Sequence, residues 1–152
     1  MIMKNMKTLI FCSLVLFAAC KKDSSSVNVE ATLTTGKWQL SDATVGIPGS
    51  SLTIDVYDSI PACVRDNFYT FAADGTLTVD EGATKCNSGD PQTATANWKL
   101  LNNNTQLQGV DVTGVSNTTA TIVLINSSTL QLQDTTTYSG YSVSATATFT
   151  HH

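Results

Sequence analysis

The sequence predicts an all-β domain, an eight-stranded antiparallel up-and-down β-barrel that follows an export signal and a flexible tether. Three observations predict it. Apolar and polar residues alternate with a period of two through most of the chain after residue 34, and short turn sequences separate the alternating segments. No stretch of 11 or more residues keeps a period of 3.6. The 152 residues are enough for one such domain.

The first 19 residues have the pattern of an export signal. Lys4 and Lys7 supply positive charge, and residues 8–19 form an uncharged, mostly apolar run. A helix needs roughly 20 apolar residues to cross a bilayer, so this run is too short to span one. Ala18-Ala19-Cys20 ends it and resembles the bacterial lipobox, whose cysteine thiol is acylated before cleavage. An ordinary signal peptide followed by a coincidental cysteine is the alternative.

An acylated Cys20 would hold a soluble domain on a membrane, because each buried methylene contributes about 0.8 kcal/mol. Residues 20–33 are polar, rich in Ser and free of aromatic residues, which is typical of a flexible tether. The predicted division is therefore residues 1–19 as the signal peptide, 20–33 as the lipidated cysteine and tether, and 34–152 as the barrel domain.

The charge of the chain argues against nucleic-acid binding. Removal of Lys4 and Lys7 with the signal leaves six basic residues against twelve acidic ones, a formal charge of −6. A nucleic-acid binder needs clustered Lys and Arg to neutralise phosphates. We expect no nucleic-acid partner.

Turn chemistry sets the predicted register of the strands. Gly75, in the left-handed conformation at the end of a three-residue loop, would place Phe71 opposite Leu77. The Asn103-Asn104 turn would place Leu100 opposite Leu107, and the loop 126–128 would place Ile122 opposite Leu132 and Leu124 opposite Leu130. The eight predicted strands are 37–45, 67–72, 76–81, 95–101, 105–112, 118–125, 129–134 and 141–150. The predicted inward-facing residues are Trp38, Leu40, Tyr69, Phe71, Leu77, Val79, Trp98, Leu100, Leu107, Ile122, Leu124, Leu130, Leu132, Tyr141, Val143 and Phe149.

Two cysteines remain in the domain after Cys12 leaves with the signal and Cys20 is acylated. Cys63 and Cys86 flank the turn at Asp74 almost symmetrically. In an exported domain two thiols most simply form one disulfide. A pair of free buried thiols is the alternative.

Several short motifs together resemble the lipocalin-like lipoproteins of Bacteroidetes. Gly36-Lys37-Trp38 opens the first strand as Gly-x-Trp does in lipocalins, and CVRDNFYTF, ADGTL, KCNSGD, TANWKLL and STLQLQ follow in order. The resemblance covers residues 33–150 and implies a lipocalin-like barrel that holds a small hydrophobic ligand. The Cys-Lys-Lys-Asp start resembles lipoproteins of the same phylum and implies an outer-membrane location, with the face of that membrane left open.

The sequence offers little for catalysis, so we expect a non-enzymatic protein. The only histidines, His151 and His152, end the chain, which predicts an exposed tail. Asp55, Asp58, Asp66, Asp80, Glu81 and Asp90 lie around the cysteine-bracketed region, where solvated surface charge is the ordinary explanation; a loop calcium site would lack EF-hand-like spacing. We expect no metal and no cofactor.

The barrel interior is the remaining candidate site. Five aromatic residues predicted to face inward, Trp38, Tyr69, Phe71, Trp98 and Tyr141, are the candidate ligand contacts. Eight-stranded barrels either fill with side chains or hold one small ligand. A filled barrel would favour the alternative function, a structural or interaction module that contacts another envelope component through the loops 46–55 or 81–92.

Overall fold

The computed structural model describes residues 27–109 and 118–152. The signal peptide, Cys20 and the end of the predicted fifth strand lie outside the described residues. Within them the domain is all-β, as predicted, with two short α-helices and one 3-10 turn. No helix of the described part is long and apolar enough to cross a membrane.

The strands of the described residues follow one another along the chain, most of them through short connections. They are β1 (Trp38–Gly46), β2 (Thr53–Asp55), β3 (Phe68–Phe71), β4 (Thr76–Asp80), β5 (Thr93–Asn97), β6 (Lys99–Leu101), β7 (Gln106–Gln108), β8 (Thr119–Ile125), β9 (Thr129–Tyr138) and β10 (Tyr141–His151). Helix α1 (Val29–Leu33) precedes β1, and a 3-10 turn (Tyr57–Ser59) and α2 (Ala62–Arg65) lie between β2 and β3.

All ten strands belong to one antiparallel sheet. Its hydrogen-bonded order is β5-β4-β3-β1-β10-β9-β8-β7-β6, and β2 pairs with β1 beside this path. The path is open, since its two end strands, β5 and β6, do not pair with each other. They are nevertheless consecutive in the chain, and Trp98 alone separates them.

The predicted eight-stranded closed barrel is therefore not confirmed. The predicted fourth strand, 95–101, divides at Trp98, because its first half pairs with β4 and its second half with β7. The short strand β2, which the sequence prediction missed, also adds to the count.

The predicted turn registers are confirmed in the two tight hairpins. Phe71 pairs with Leu77 across a turn in which Gly75 has φ +86°. Leu100 pairs with Leu107 across a turn of three asparagines with positive φ. Correct pairing here places the apolar side chains of both strands on one face.

The β8–β9 register is only partly as predicted. Ile122 pairs with Leu132, but a bulge after Ile122 makes Ile125, not Leu124, the partner of Leu130. The prediction that Leu124 faces the interior is therefore wrong, and its side chain is exposed. The bulge brings Ile125 into contact with the core instead.

The core lies on one face of the sheet, and Leu33 of α1 is part of it. Its largest members with almost no exposure are Trp38, Tyr69, Leu33, Leu77, Leu107 and Leu130. The Trp38 indole Nε1–H donates to the Leu33 carbonyl over 3.0 Å, so α1 is fixed to the first residue of β1. Residues 29–33, predicted to belong to the flexible tether, are thus a helix of the domain.

The prediction of an exposed histidine tail is only partly correct, because His152 is exposed but His151 is half-buried. β10 includes His151, whose ring packs edge-on against Trp38 at 4.9 Å. The His151 Nε2 lies 2.6 Å from the Thr35 carbonyl oxygen, and His152 exchanges main-chain hydrogen bonds with Lys37. The end of β10 therefore covers the Trp38 end of the sheet.

Candidate functional site

Four of the five predicted ligand contacts lie in the packed core. Trp38, Tyr69, Phe71 and Trp98 are between 0% and 7% exposed. Tyr69 packs against Phe149 with ring centroids 5.5 Å apart, and Phe71 packs against Trp98 at 5.4 Å, both edge to face. The Trp98 indole Nε1–H donates to the Ala72 carbonyl at 3.0 Å. Each of these four rings packs against another aromatic ring, and Trp98 also borders two clefts of about 370 and 210 Å³.

Tyr141, the fifth predicted contact, is not in the core. It opens β10 at the far end of the sheet from Trp38 and is 75% exposed. The prediction that it is an interior residue is therefore wrong. Alternation assigned it to the inward face correctly, but no neighbouring element among the described residues covers that part of the face.

The inward face continues beyond the core at this end. Tyr141 and Val143 alternate in step with the buried Ala147 and Phe149 of β10. Tyr138 of β9 pairs with Tyr141. Farther along β10, Ala145 pairs with Val45 of β1. Val45 also pairs with Ile54 of β2. Because directly paired residues share a face, these side chains form one surface. We call Val45, Ile54, Tyr138, Tyr141 and Val143 the mouth face.

The mouth face is largely open to solvent and mostly apolar, with Asp134 and Thr136 on the same side opposite Ala145 and Val143. Ile54, Tyr138 and Tyr141 are 71% to 75% exposed, and Val45 and Val143 are half-buried. Ile47 and Leu52, in the loop between β1 and β2, are also exposed apolar residues. Exposed apolar residues scattered singly are ordinary, but a contiguous group marks a binding surface.

A cleft of about 200 Å³ lies behind this face, on the outer side of the same strands. Its lining includes Thr44, Thr53, Thr135, Ser144 and Thr146. Hydroxyl groups prevail there, so this cleft suits an apolar molecule less well than the mouth face does.

The disulfide predicted between Cys63 and Cys86 is confirmed, with Cα atoms 5.1 Å apart. It joins α2 to the long β4–β5 connection. Beside it, Asp66 Oδ2 accepts hydrogen bonds from the amides of Ala83 and Thr84 and from the Thr84 hydroxyl. The covalent bond and the carboxylate together fix this connection against the start of β3.

Two carboxylates of the described part accept hydrogen bonds that lower their pKa values. Hydrogen bonds from the Gln92 side chain and the Gly82 amide lower the pKa of Asp80, and hydrogen bonds from Thr76 lower that of Asp74. Both carboxylates organise turns. Within residues 27–109 and 118–152, no group of three or more His, Cys, Asp or Glu side chains is placed to hold a metal.

The mouth face contains residues that the sequence prediction missed. Leu52, Ile54 and Val56 alternate with polar residues, which is the signal of a short strand. Tyr138 lies four residues beyond the predicted end of the seventh strand, because β9 extends to the turn at Ser139-Gly140. That turn has positive φ at both residues and continues the hairpin well past the core.

Comparison with known proteins gives one match. The model of a family described as a lipocalin-like domain matches residues 34–132, about two thirds of the chain. No curated protein matches the chain.

Proposed function

Since the chain belongs to the lipocalin-like domain family, we propose that it binds a small hydrophobic molecule on the mouth face and is tethered to the outer membrane through lipid on Cys20. One observation carries the binding proposal. Apolar side chains that continue the inward face are exposed together, whereas the rings deeper in the sheet are packed against one another. The ligand would therefore bind above the core rather than between Trp38 and Tyr69.

We further propose that the sheet acts as an eight-stranded barrel wall. In this interpretation β5 and β6 are the two halves of one strand bent at Trp98, and β2 is a side strand of β1. The Trp98 amide donates to the Gly75 carbonyl at 2.8 Å, which supports the bend. A Cβ atom on Gly109 would contact the Asn97 carbonyl oxygen, so the chain after β7 passes tightly beside the same point.

The first described residues lie at the end of the domain opposite the mouth face. α1 begins two residues after the first described residue, Val27, and packs against Trp38, where β1 starts. The nine residues of β1 rise about 30 Å before Gly46, which lies beside the mouth face. This geometry favours a domain whose mouth points away from the membrane and captures its ligand from the surrounding space.

Serine substitutions on the mouth face test the binding proposal. We expect the neutral fluorescent probe N-phenyl-1-naphthylamine to bind the wild type, and the double variant Ile54→Ser/Tyr141→Ser to bind it at least about tenfold more weakly. The reason is that about 1.5 kcal/mol or more of apolar contact is removed. Val123→Ser, an equally conservative change at an exposed apolar residue of β8, is the matched control and should bind normally.

Two results would contradict the proposal. One is absence of probe binding by the wild type, and the other is equal binding by the double variant. Either would favour the second candidate function, contact with another envelope protein. The exposed Ile47 and Leu52 of the β1–β2 loop support that candidate, because apolar residues rimmed by polar ones are typical of protein interfaces.

Two separate cysteine substitutions test the proposed lipid anchor. We expect Cys20→Ser to move the protein from the membrane fraction to the soluble fraction of cells, because no acyl chains are attached. Cys12→Ser, which changes a cysteine within the signal, should leave the protein with the membranes. Fractionation followed by detection of the chain gives the measurement. Membrane association of Cys20→Ser equal to that of the wild type would contradict the lipidation of Cys20.

A further inference from the structure

One carboxylate lies on the otherwise uncharged mouth face. Asp134 of β9 pairs with Ala145 of β10, and directly paired residues share a face. Thr136, two residues farther along β9, pairs in the same way with Val143. Because side chains two residues apart also share a face, Asp134 lies between the buried Leu132 and the open end of this surface. The carboxylate is therefore at the inner margin of the mouth face.

The other carboxylates of these strands point to the opposite side. The four strands that form the mouth face, β1, β2, β9 and β10, contain three acidic residues, which are Asp42, Asp55 and Asp134. Asp42 pairs with Thr148, and Asp55 pairs with Thr44. Both threonines alternate with buried residues of their strands, so these two pairs lie on the outer face. Asp134 is thus the one acidic side chain that the four strands contribute to the mouth face.

No cation within residues 27–109 and 118–152 is paired with Asp134. Its Oδ1 accepts the Thr135 amide at 2.7 Å, which is an uncharged donor. The one ion pair of the described part joins Arg65 to Asp58. The basic residues of this part all lie outside the four strands: Lys37, Arg65, Lys85 and Lys99. A carboxylate flanked by apolar side chains attracts a cation more strongly than one surrounded by water alone.

Two tyrosine rings form the outer end of the mouth face. Tyr138 and Tyr141 pair across β9 and β10 and are 74% and 75% exposed. The face of a tyrosine ring attracts cations through its quadrupole. Asp134 lies four residues from Tyr138 along β9, a distance of about 13 Å. This separation fits a molecule with a positive head group at Asp134 and an apolar body that extends over Val143 toward the tyrosines.

We infer that the ligand of the mouth face is a hydrophobic cation, an apolar molecule with one amine or quaternary ammonium group. This inference rests on the proposed binding of a small hydrophobic molecule and adds the charge of that molecule. The Asp134 carboxylate pairs with the positive group, and the apolar body contacts Val45, Ile54 and Val143. A fatty acid has a negative head group and would be repelled by the same carboxylate.

Three competitors of equal chain length test the inference. Octylamine is a cation at pH 7, octanol is neutral and octanoate is an anion. We expect octylamine to displace N-phenyl-1-naphthylamine from the wild type at a concentration at least about tenfold lower than octanoate requires, with octanol between them. Probe fluorescence gives the three displacement midpoints.

Two asparagine substitutions that change the net charge equally show whether the effect is local. Asp134→Asn should reduce the difference between octylamine and octanoate to less than about threefold, and it should bind the neutral probe as the wild type does. Asp42→Asn, on the outer face of β1, is the matched control and should keep the difference of the wild type.

The possible outcomes separate this inference from the proposed function. Equal displacement by octylamine and octanoate from a wild type that binds the probe would overturn the inference and leave the mouth-face proposal intact. An equal effect of Asp42→Asn and Asp134→Asn would also overturn it, because net charge alone would then explain the preference. So would loss of probe binding in Asp134→Asn, which would indicate a structural role. Absence of probe binding by the wild type would contradict both proposals.

Discussion

Trp38→Ala is expected to lower the free energy of unfolding by about 4 kcal/mol, the largest loss from a single side chain in this domain. The indole has no exposure, packs against His151 and donates to the Leu33 carbonyl. Its removal leaves a cavity and an unpaired carbonyl, and α1 loses its attachment to β1. Urea unfolding followed by circular dichroism measures the change.

Trp38→Phe is the matched control for this prediction. It keeps an aromatic ring but loses the indole hydrogen bond to Leu33, so we expect a loss of about 2 kcal/mol. Equal stabilities of the alanine variant and the wild type would mean that Trp38 is not the centre of the packed end.

Removal of the disulfide is expected to have the second-largest effect. Cys63 and Cys86 are separated by 23 positions, and a crosslink across a loop of this size typically contributes about 3 kcal/mol by restricting the unfolded chain. The double variant Cys63→Ala/Cys86→Ala should therefore unfold at a clearly lower urea concentration than the wild type.

A reducing agent provides the control for the disulfide prediction. It should destabilise the wild type by a similar amount and leave the double variant unchanged. A wild type that is insensitive to reduction would show that the two thiols are not crosslinked in the protein.

The sequence predicted the registers of the β3–β4 and β6–β7 hairpins, where a tight turn and an apolar pattern agreed. Gly75 and Asn103-Asn104 accept the positive φ that their turns need, and each register aligned apolar residues on one face. The cysteine pairing was predicted because two thiols remain in an exported domain, and Cys63 and Cys86 flank the hairpin that turns at Gly75. In these hairpins the conformation that the turn residues accept and the burial of apolar side chains favour the same strand register.

The sequence did not predict features that depend on contacts beyond a single hairpin. In the apolar run 122–125 every residue is hydrophobic, so alternation could not reveal the bulge that turns Leu124 outward. The segment 95–101 was predicted as one continuous strand, because nothing in its own sequence indicates that its partner changes from β4 to β7 at Trp98. Contacts between segments distant in the sequence determine both the bulge and the change of strand partner.

The positions of the candidate site residues were likewise predicted only in part. Alternation placed Trp38, Tyr69, Phe71 and Tyr141 on one face, but it carries no information on how far along a strand the core extends. The β9–β10 hairpin continues past the core, so Tyr141 is exposed while Tyr69 is buried. The proposed binding surface therefore lies on the face that alternation predicted, but farther along the strands than the core.

The position of a bound apolar molecule tests the account most directly. The chain has two tryptophans, so an NMR titration with N-phenyl-1-naphthylamine can follow two indole signals together with the backbone amides. We predict shifts at the amides of Val45, Ile54 and Val143 and an unchanged Trp38 indole signal. Shifts concentrated at Trp38, Tyr69 and Phe71, with the mouth face unaffected, would contradict the account.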